Sequence, residues 1–168
     1  MSGGLAMIRC DGGGKFGYGH VKRMVALARA LRDREGIGAI FALNGSEDAA
    51  APIRRAGFEA VMLHGASDLE TLIDANSPDI LLLDGREGPS RAELERLKRG
   101  VAVTAVIDDG HERRLAADYG PGFLAQCCEA LGDPVRECHR PLEVVGDALS
   151  ARARPHRRCG LPQQVRPG

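Results

Sequence analysis

A glycine-rich stretch followed at once by a histidine is the part of the chain best suited to bind a ligand and transfer a proton. There are five glycines between Gly12 and Gly19, and His20 comes directly after them. Glycine lets the backbone adopt positive φ and approach a bound molecule closely, because it carries no Cβ atom. A neutral histidine can act as a general base. These residue types in this order predict a ligand-binding loop with a proton acceptor at its mouth.

The pattern around the glycines predicts a strand before them and a helix after them. The apolar run from Leu5 to Cys10 is typical of a short strand. His20 falls in the first turn of the helix, where the positive end of the helix dipole favours a neutral imidazole. A tight turn without a ligand, against which His20 only packs or caps, is the alternative interpretation. The helix is predicted from apolar residues at spacings of three and four: Val21, Met24, Val25, Ala28 and Leu31.

The glycines do not identify either of two common nucleotide-binding loops. A Walker loop requires a Gly-Lys-Ser/Thr sequence, which does not follow here. Gly14, Gly17 and Gly19 lack the GxGxxG spacing of a dinucleotide fingerprint, and although Gly12, Gly14 and Gly17 have it, that pattern alone is weak and we predict no dinucleotide. The loop therefore needs another assignment.

Carboxylates follow two later apolar runs. Asp84 ends the run from Asp79 to Asp84, which predicts a strand buried on both faces. Asp84 is then either a ligand-facing carboxylate beside the glycines or a cap for the loop at 85–89. Asp108, Asp109 and His111 follow the run at 101–107. Such a group can hold a divalent metal, but Asp-Asp-Gly is also an ordinary turn, and we predict no metal there.

Strand and helix patterns alternate about five times along the first two thirds of the chain. Strands are predicted at 5–10, 37–43, 59–63, 79–84 and 101–107. Ser46 and Ser90 are predicted to cap helices, and Ser67 and Glu70 have the spacing of a capping box. This alternation predicts an α/β fold, a Rossmann-like and mostly parallel sheet with helices on both faces. The polar residues that follow the strands should meet at one edge of the sheet.

A longer motif is shared with a known family. It consists of Arg9-x-Asp11, Gly17-x-Gly19-His20-x-x-Arg23 and Leu27-Ala28-x-x-Leu31. In this motif the chain resembles the nucleotide-sugar hydrolases of the pseudaminic acid pathway, which act on UDP-2,4-diacetamido-2,4,6-trideoxy-β-L-altropyranose. These enzymes are related to the spore-coat polysaccharide glycosyltransferase-like proteins and share the GT-B architecture. The similarity continues through Asp84 and Asp108-Asp109 to about Asp118.

The resemblance implies roles for individual residues. His20 would be the catalytic base that activates water at the sugar, and Gly17 and Gly19 would let the backbone approach the substrate. Arg9, Asp11 and Arg23 would orient the loop and the histidine, and they would contact the substrate. Asp84 would also contact the substrate. The family often has a tyrosine after the residue that matches Asp84, whereas this chain has Gly85. That departure leaves the exact sugar open.

The resemblance also implies a function and a missing part. The chain would be equivalent to the N-terminal domain of a GT-B protein, and it would release UDP from a UDP-sugar in the synthesis of a nonulosonic acid for surface glycan or flagellin modification. Neither a cofactor nor a metal is implied. A second domain, which would supply most uridine and diphosphate contacts, is not visible in this sequence. A glycosyltransferase of surface polysaccharide synthesis and an inactive sugar-nucleotide-binding fragment are the alternatives.

The composition excludes several classes of partner. The 168 residues carry no net charge, since 23 basic residues match 23 acidic ones, and aromatic residues make up only 4%. We therefore predict no nucleic-acid binding. No apolar run reaches the roughly 18 residues of a membrane span, and no signal peptide is apparent. The five cysteines form no CxxC pair, so a cytoplasmic protein with reduced thiols is expected.

The end of the chain differs in character from the rest. We predict an α/β domain at 1–118 and a divergent, poorly ordered segment at 119–168. The last 18 residues contain five arginines and no acidic residue. Out-of-frame translation of a GC-rich gene gives this composition, so a frameshift or a truncation near Asp118 is the hypothesis. A basic tail that binds an acidic partner is the alternative.

Overall fold

The computed structural model describes residues 4–65, 67–107 and 112–119, in which five parallel strands lie side by side. The strands are β1 (Leu5–Gly12), β2 (Gly38–Gly45), β3 (Glu59–Met62), β4 (Ile80–Asp84) and β5 (Val103–Val106). Their order in the sheet is β3-β2-β1-β4-β5, and every neighbouring pair is parallel. The predicted α/β, Rossmann-like class is confirmed. Its equivalence to a GT-B domain stays a prediction.

In the described part of the chain, two helices cover each face of the sheet. They are α1 (Gly19–Glu35), α2 (Ala50–Arg55), α3 (Asp68–Asn76) and α4 (Arg91–Leu97). Side chains of α1 and α2 share one buried cluster with Ile8 and Cys10 of β1. Side chains of α3 and α4 share a second cluster with Met7. We call these two sides of the sheet the α1–α2 face and the α3–α4 face.

The alternation of side chains along β1 and β4 assigns the polar residues to these faces. Successive residues of a strand point to opposite sides. Arg9 and Asp11 therefore lie on the same side as Met7, on the α3–α4 face. Asp84 lies on the same side as Leu82, on the α1–α2 face. The carboxylates at the ends of two adjacent strands thus lie on different sides of the sheet.

The helix ends agree with the sequence patterns in some places and differ in others. Helix α1 stops at Gly36, which is left-handed with φ 67° and donates its N–H to Arg32 O at 3.1 Å. Ser90 caps α4 and forms a full capping box with Glu93. The capping box predicted for Ser67 and Glu70 is wrong, because the Ser67 backbone is itself helical and its side chain makes no capping bond.

Asp68 closes the turn before α3 in place of Ser67. Its Oδ2 accepts the N–H groups of His64 and Gly65 at 2.7 and 2.9 Å. These two bonds lower the pKa of Asp68. Ser46 likewise makes no capping bond, because the chain first forms a 3-10 turn at Glu47–Ala49 and α2 begins only afterwards, at Ala50. The prediction of a helix capped by Ser46 is therefore wrong.

The first residue of the predicted divergent segment is attached to the sheet. Tyr119 donates its N–H to Thr104 O and accepts the Val106 N–H at 2.9 Å, which gives a parallel bridge to β5. Tyr119 is the one described residue of the segment at 119–168, so the prediction for the rest lies outside the described residues. In the described part of the chain, no helix has the length and apolarity needed to cross a membrane.

Candidate functional site

The glycine loop, Gly12–Gly19, joins β1 to α1 through a backbone that needs glycine. Gly13, Gly14 and Gly17 have φ values of 73°, 48° and 69°, a region that side chains with a Cβ rarely adopt. The loop closes on itself where the Gly13 N–H donates to Gly17 O at 2.7 Å. The predicted strand–loop–helix is confirmed.

The inner end of the loop is tightly packed and its outer end is open. A Cβ added to Gly12 would lie 2.5 Å from Val21 Cγ2. A Cβ added to Gly14, Gly17 or Gly19 would meet no atom within 4 Å. Gly19 also lacks a positive φ, so neither conformation nor internal packing explains the absence of a side chain there. Open space over a bare backbone is where a ligand can approach closely.

Two contacts hold the outer end of the loop in place. The Tyr18 hydroxyl donates to Asp48 in the 3-10 turn after β2. Lys15 Nζ lies 2.6 Å from Glu87 Oε1 in the segment after β4. Both contacts are exposed, and exposed pairs contribute little stability. They mainly set the position of the loop relative to its neighbours.

His20, Asp84 and Arg23 form a cluster beside the loop, on the α1–α2 face. His20 Nδ1 lies 2.9 Å from Asp84 Oδ1. Arg23 Nε donates to Asp84 Oδ2 at 2.6 Å, and Arg23 Nη2 donates to Oδ1. His20 and Arg23 are three residues apart on α1, which places them on the same side of the helix. The cluster therefore joins the first turn of α1 to the end of β4.

Two groups face His20 Nδ1, namely Asp84 Oδ1 at 2.9 Å and Arg23 Nη2 at 3.0 Å. A carboxylate oxygen accepts a hydrogen from Nδ1, whereas a guanidinium nitrogen needs a lone pair there. Because Arg23 Nη2 already donates to Asp84 Oδ1, we assign the hydrogen of a neutral His20 to Nδ1, from which it is donated to the same carboxylate. The other ring nitrogen, Nε2, then has the free lone pair. Within the described residues Nε2 has no bonding partner, and it is not among the fully buried unpaired atoms. His20 thus presents a proton acceptor to solvent next to the glycine loop.

Asp84 is a supporting carboxylate in this geometry. It is fully buried, and its described bonds go to His20 and Arg23. A cap on the 85–89 loop is not among these described bonds, and contact of Asp84 with a ligand stays a prediction. The Cys10 side chain also lies on the α1–α2 face, and Cys10 pairs with Asp84 in the sheet register. Burial first, and the charge of Asp84 second, raise the pKa of the Cys10 thiol.

Arg9 and Asp11 lie away from His20, on the α3–α4 face. Arg9 Nη1 is 2.9 Å from Asp11 Oδ1. Asp11 Oδ1 also accepts from Asn44 Nδ2 at 2.8 Å, and Oδ2 accepts the Glu87 N–H at 3.0 Å. The structure therefore does not bring Arg9 and Asp11 to the histidine that they were expected to orient. They hold the segment after β4 instead.

Several residues of this second group were not singled out from the sequence. Gly85 lacks a Cβ where one would lie 2.4 Å from Asp11 Oδ2, so the segment can pass directly over the Arg9–Asp11 pair. Arg113 is buried and donates to Gly85 O at 2.6 Å. Asn44 was seen only as part of a turn. Arg113 lies in a polar stretch with no periodicity, and no sequence signal indicates its burial.

A metal site finds no support among the residues that the structure describes. No group of three or more His, Cys, Asp or Glu side chains is arranged there to hold an ion. Asp108, Asp109 and His111 lie outside the described residues, so their prediction stays open.

Comparison with models of known protein families gave no match to this chain, and a search among curated proteins also gave none.

Proposed function

We propose that the chain is the catalytic half of a nucleotide-sugar hydrolase that releases UDP from a UDP-activated diacetamido-trideoxy sugar. The observation that carries the proposal is the His20–Asp84 pair at the mouth of an open glycine loop. The substrate class comes from the motif Gly17-x-Gly19-His20-x-x-Arg23 and its resemblance to the hydrolases of pseudaminic acid synthesis.

In the proposed reaction His20 acts as a general base on water. The water oxygen forms a bond to the anomeric carbon while the bond from that carbon to the diphosphate oxygen breaks. UDP leaves with the electron pair of that bond, and the water proton goes to Nε2 of His20. Asp84 stabilises the resulting imidazolium through Nδ1–H, and Arg23 orients the Asp84 carboxylate through two donors.

The glycine loop supplies the approach to the substrate. The space above Gly17 and Gly19 admits a sugar or a phosphate to the backbone without meeting a side chain. Both lie next to the start of α1, where the dipole favours negative charge. A GT-B site is closed by two domains, so a domain open on one side should bind its substrate weakly. We therefore expect slow turnover by this chain alone.

The experiment incubates the chain with the UDP-sugar at millimolar concentration and measures UDP release. We expect slow release that falls by roughly 100-fold or more in His20→Asn, the range of a lost general base. His64→Asn is the matched control, since His64 is exposed and makes no contact with the cluster. Equal turnover by wild type and His20→Asn would overturn the proposal, and full turnover by the chain alone would contradict the expected half-site.

Isotope labelling separates hydrolysis from the alternatives. In water enriched in oxygen-18, a hydrolase places the label on the anomeric carbon of the free sugar. A glycosyltransferase instead needs an added acceptor and bonds the anomeric carbon to the acceptor oxygen, so its product carries no label. Binding of the UDP-sugar without turnover in either case would indicate an inactive binding fragment.

A further inference from the structure

A cavity of about 360 Å³ opens on the α3–α4 face of the sheet, apart from the His20 cluster. Leu69 of α3 and Leu97 of α4 line it, together with Leu63 after β3. The described residues that line it include no member of the His20 cluster and no residue of the glycine loop. Its volume is within the range of small-molecule sites.

Arg9 supplies a buried cation to this cavity. Its side chain is only 6% exposed, and it lines the cavity wall. Among the described residues, the guanidinium pairs with Asp11 alone, and Asp11 is shared with Asn44 and the backbone of Glu87. A guanidinium has five N–H donors, so most of those of Arg9 have no protein acceptor there. Donors of this kind fit an anionic group on a ligand.

The surroundings of Arg9 leave its positive charge incompletely balanced. Arg113 approaches the same place, because a Cβ on Gly88 would lie 2.8 Å from Arg113 Nη1 and 3.6 Å from Arg9 Cζ. Burial lowers the pKa of Arg9, and the positive charge of Arg113 lowers it further. Asp11 is the one carboxylate among the described residues that pairs directly with Arg9, while Glu87 acts on it from a greater distance. A ligand carboxylate would supply the missing negative charge.

The mouth of the cavity has the opposite charge preference. Three glutamates line it against one arginine, Arg96: Glu70, Glu87 and Glu93. Glu87 is paired with Lys15 and Glu93 accepts the Ser90 N–H, so Glu70 is the carboxylate among them without a described partner. Carboxylates there repel a ligand that carries several negative charges and favour a cationic group. Between the two ends, Leu63, Leu69 and Leu97 offer an apolar wall.

We propose that this cavity binds a small zwitterion with its carboxylate on Arg9, its hydrocarbon part against the three leucines and its ammonium group at the glutamates of the mouth. The site is separate from the proposed hydrolase site, and it gives the domain a second ligand.

The test titrates the ¹⁵N-labelled chain with three matched probes and follows the NMR signals. The probes are 6-aminohexanoate, hexanoate, which lacks the ammonium, and hexylamine, which lacks the carboxylate. We expect 6-aminohexanoate to shift the signals of Arg9 Nε, Leu63, Leu69 and Leu97. We expect hexanoate and hexylamine to bind about tenfold or more weakly, since each loses one charge-assisted contact. Absent binding, equal binding by hexanoate, or tighter binding by inorganic phosphate would overturn the proposal.

A variant that fills the cavity tests the location of binding without changing a charge. Leu63→Phe should weaken 6-aminohexanoate about tenfold or more, because the added ring occupies the cavity. Leu115→Phe is the control, since Leu115 is exposed elsewhere on the chain. Unchanged affinity in Leu63→Phe would overturn the proposal. UDP release should be the same in Leu63→Phe as in wild type, so this proposal and the hydrolase proposal can fail separately.

Discussion

At the scale of single residues, the proposed hydrolysis depends on which ring nitrogen of His20 bears the hydrogen. Asp84 accepts the Nδ1 hydrogen and Arg23 holds Asp84 by two donors. The residue types of this cluster could be predicted from the sequence, but their connections could not. The run at 80–83 is apolar without alternation, so nothing in it indicated on which face Asp84 would lie.

Replacing Asp84 by Asn should disturb the ring proton of His20. An amide can also donate to Nδ1, which moves the hydrogen to Nε2 and removes the outward lone pair. We expect UDP release to fall by roughly 100-fold or more, and ¹⁵N NMR to show a changed tautomer. Asp74→Asn, at an exposed carboxylate on α3 and away from the loop, is the control. An unchanged tautomer and rate in Asp84→Asn would contradict the role given to Asp84.

Cys10 should behave as an inert thiol in the folded chain. It is completely buried, and both burial and the nearby Asp84 charge raise its pKa. The thiolate is the reactive form, so a variant whose other four cysteines are serine should react with a thiol reagent at pH 8 only after unfolding. The check is the modification rate with and without denaturant. Rapid modification of the native chain would contradict the buried position.

At the scale of elements, the glycine loop contains a glycine that the fold requires, Gly12, and one that it does not require, Gly19. Gly19 has neither a positive φ nor a neighbour within 4 Å of an added Cβ. Gly19→Ala should therefore leave the free energy of unfolding nearly unchanged and lower UDP release, because the methyl group blocks the approach of the substrate. Gly12→Ala, which would meet Val21, should instead destabilise the fold. Full activity in Gly19→Ala would contradict a backbone approach.

The starts of α3 and α4 offer a matched pair of serines. Ser90 forms a capping box with Glu93, whereas Ser67 makes no capping bond. Ser90→Ala should lower the free energy of unfolding by about 1 kcal/mol, and Ser67→Ala should change it by much less. Urea denaturation of both variants measures the difference. Equal losses would show that the cap geometry does not decide the effect.

The two serines also show what sequence spacing can and cannot predict about an element. Both are followed by Glu at the third position. The capping box requires an extended backbone at the serine, which Ser90 has with ψ 168° and Ser67 lacks with ψ −14°. Asp68 competes for that turn by binding two backbone N–H groups. Such competition between neighbouring side chains does not appear in a motif.

At the scale of the whole molecule, the alternation of strands and helices was sufficient to predict the sheet and its class. The assignment of polar residues to its faces was not predictable, because it depends on the alternation within each strand. The family resemblance groups Arg9 and Asp11 with His20, yet the sheet separates them from it. Arg113 could not be predicted, since its burial depends on Gly85 and Gly88 passing over β1.

The order of strands predicts how protection against hydrogen exchange is distributed. β1 is paired on both sides and almost wholly buried, while β3 is a half-buried edge strand of four residues. The amides of Ile8 and Cys10 should exchange only through global unfolding, and those of Ala60 and Val61 through local opening. Native-state exchange followed by NMR measures this. Equal protection in the two strands would contradict the difference.

The central place of β1 also affects how the chain reaches its fold. β1 is made first, but its two neighbours, β2 and β4, come later, and β4 cannot pair until residue 80 has been synthesised. Pairings so distant in sequence slow folding. Until then a half-sheet of β1, β2 and β3 would leave one edge of β1 unpaired, where another chain could add a strand. Arg9 and Asp11 place charged side chains on β1, whose edge is unpaired at that stage. Charged residues that point inward from an edge strand are known to oppose such aggregation.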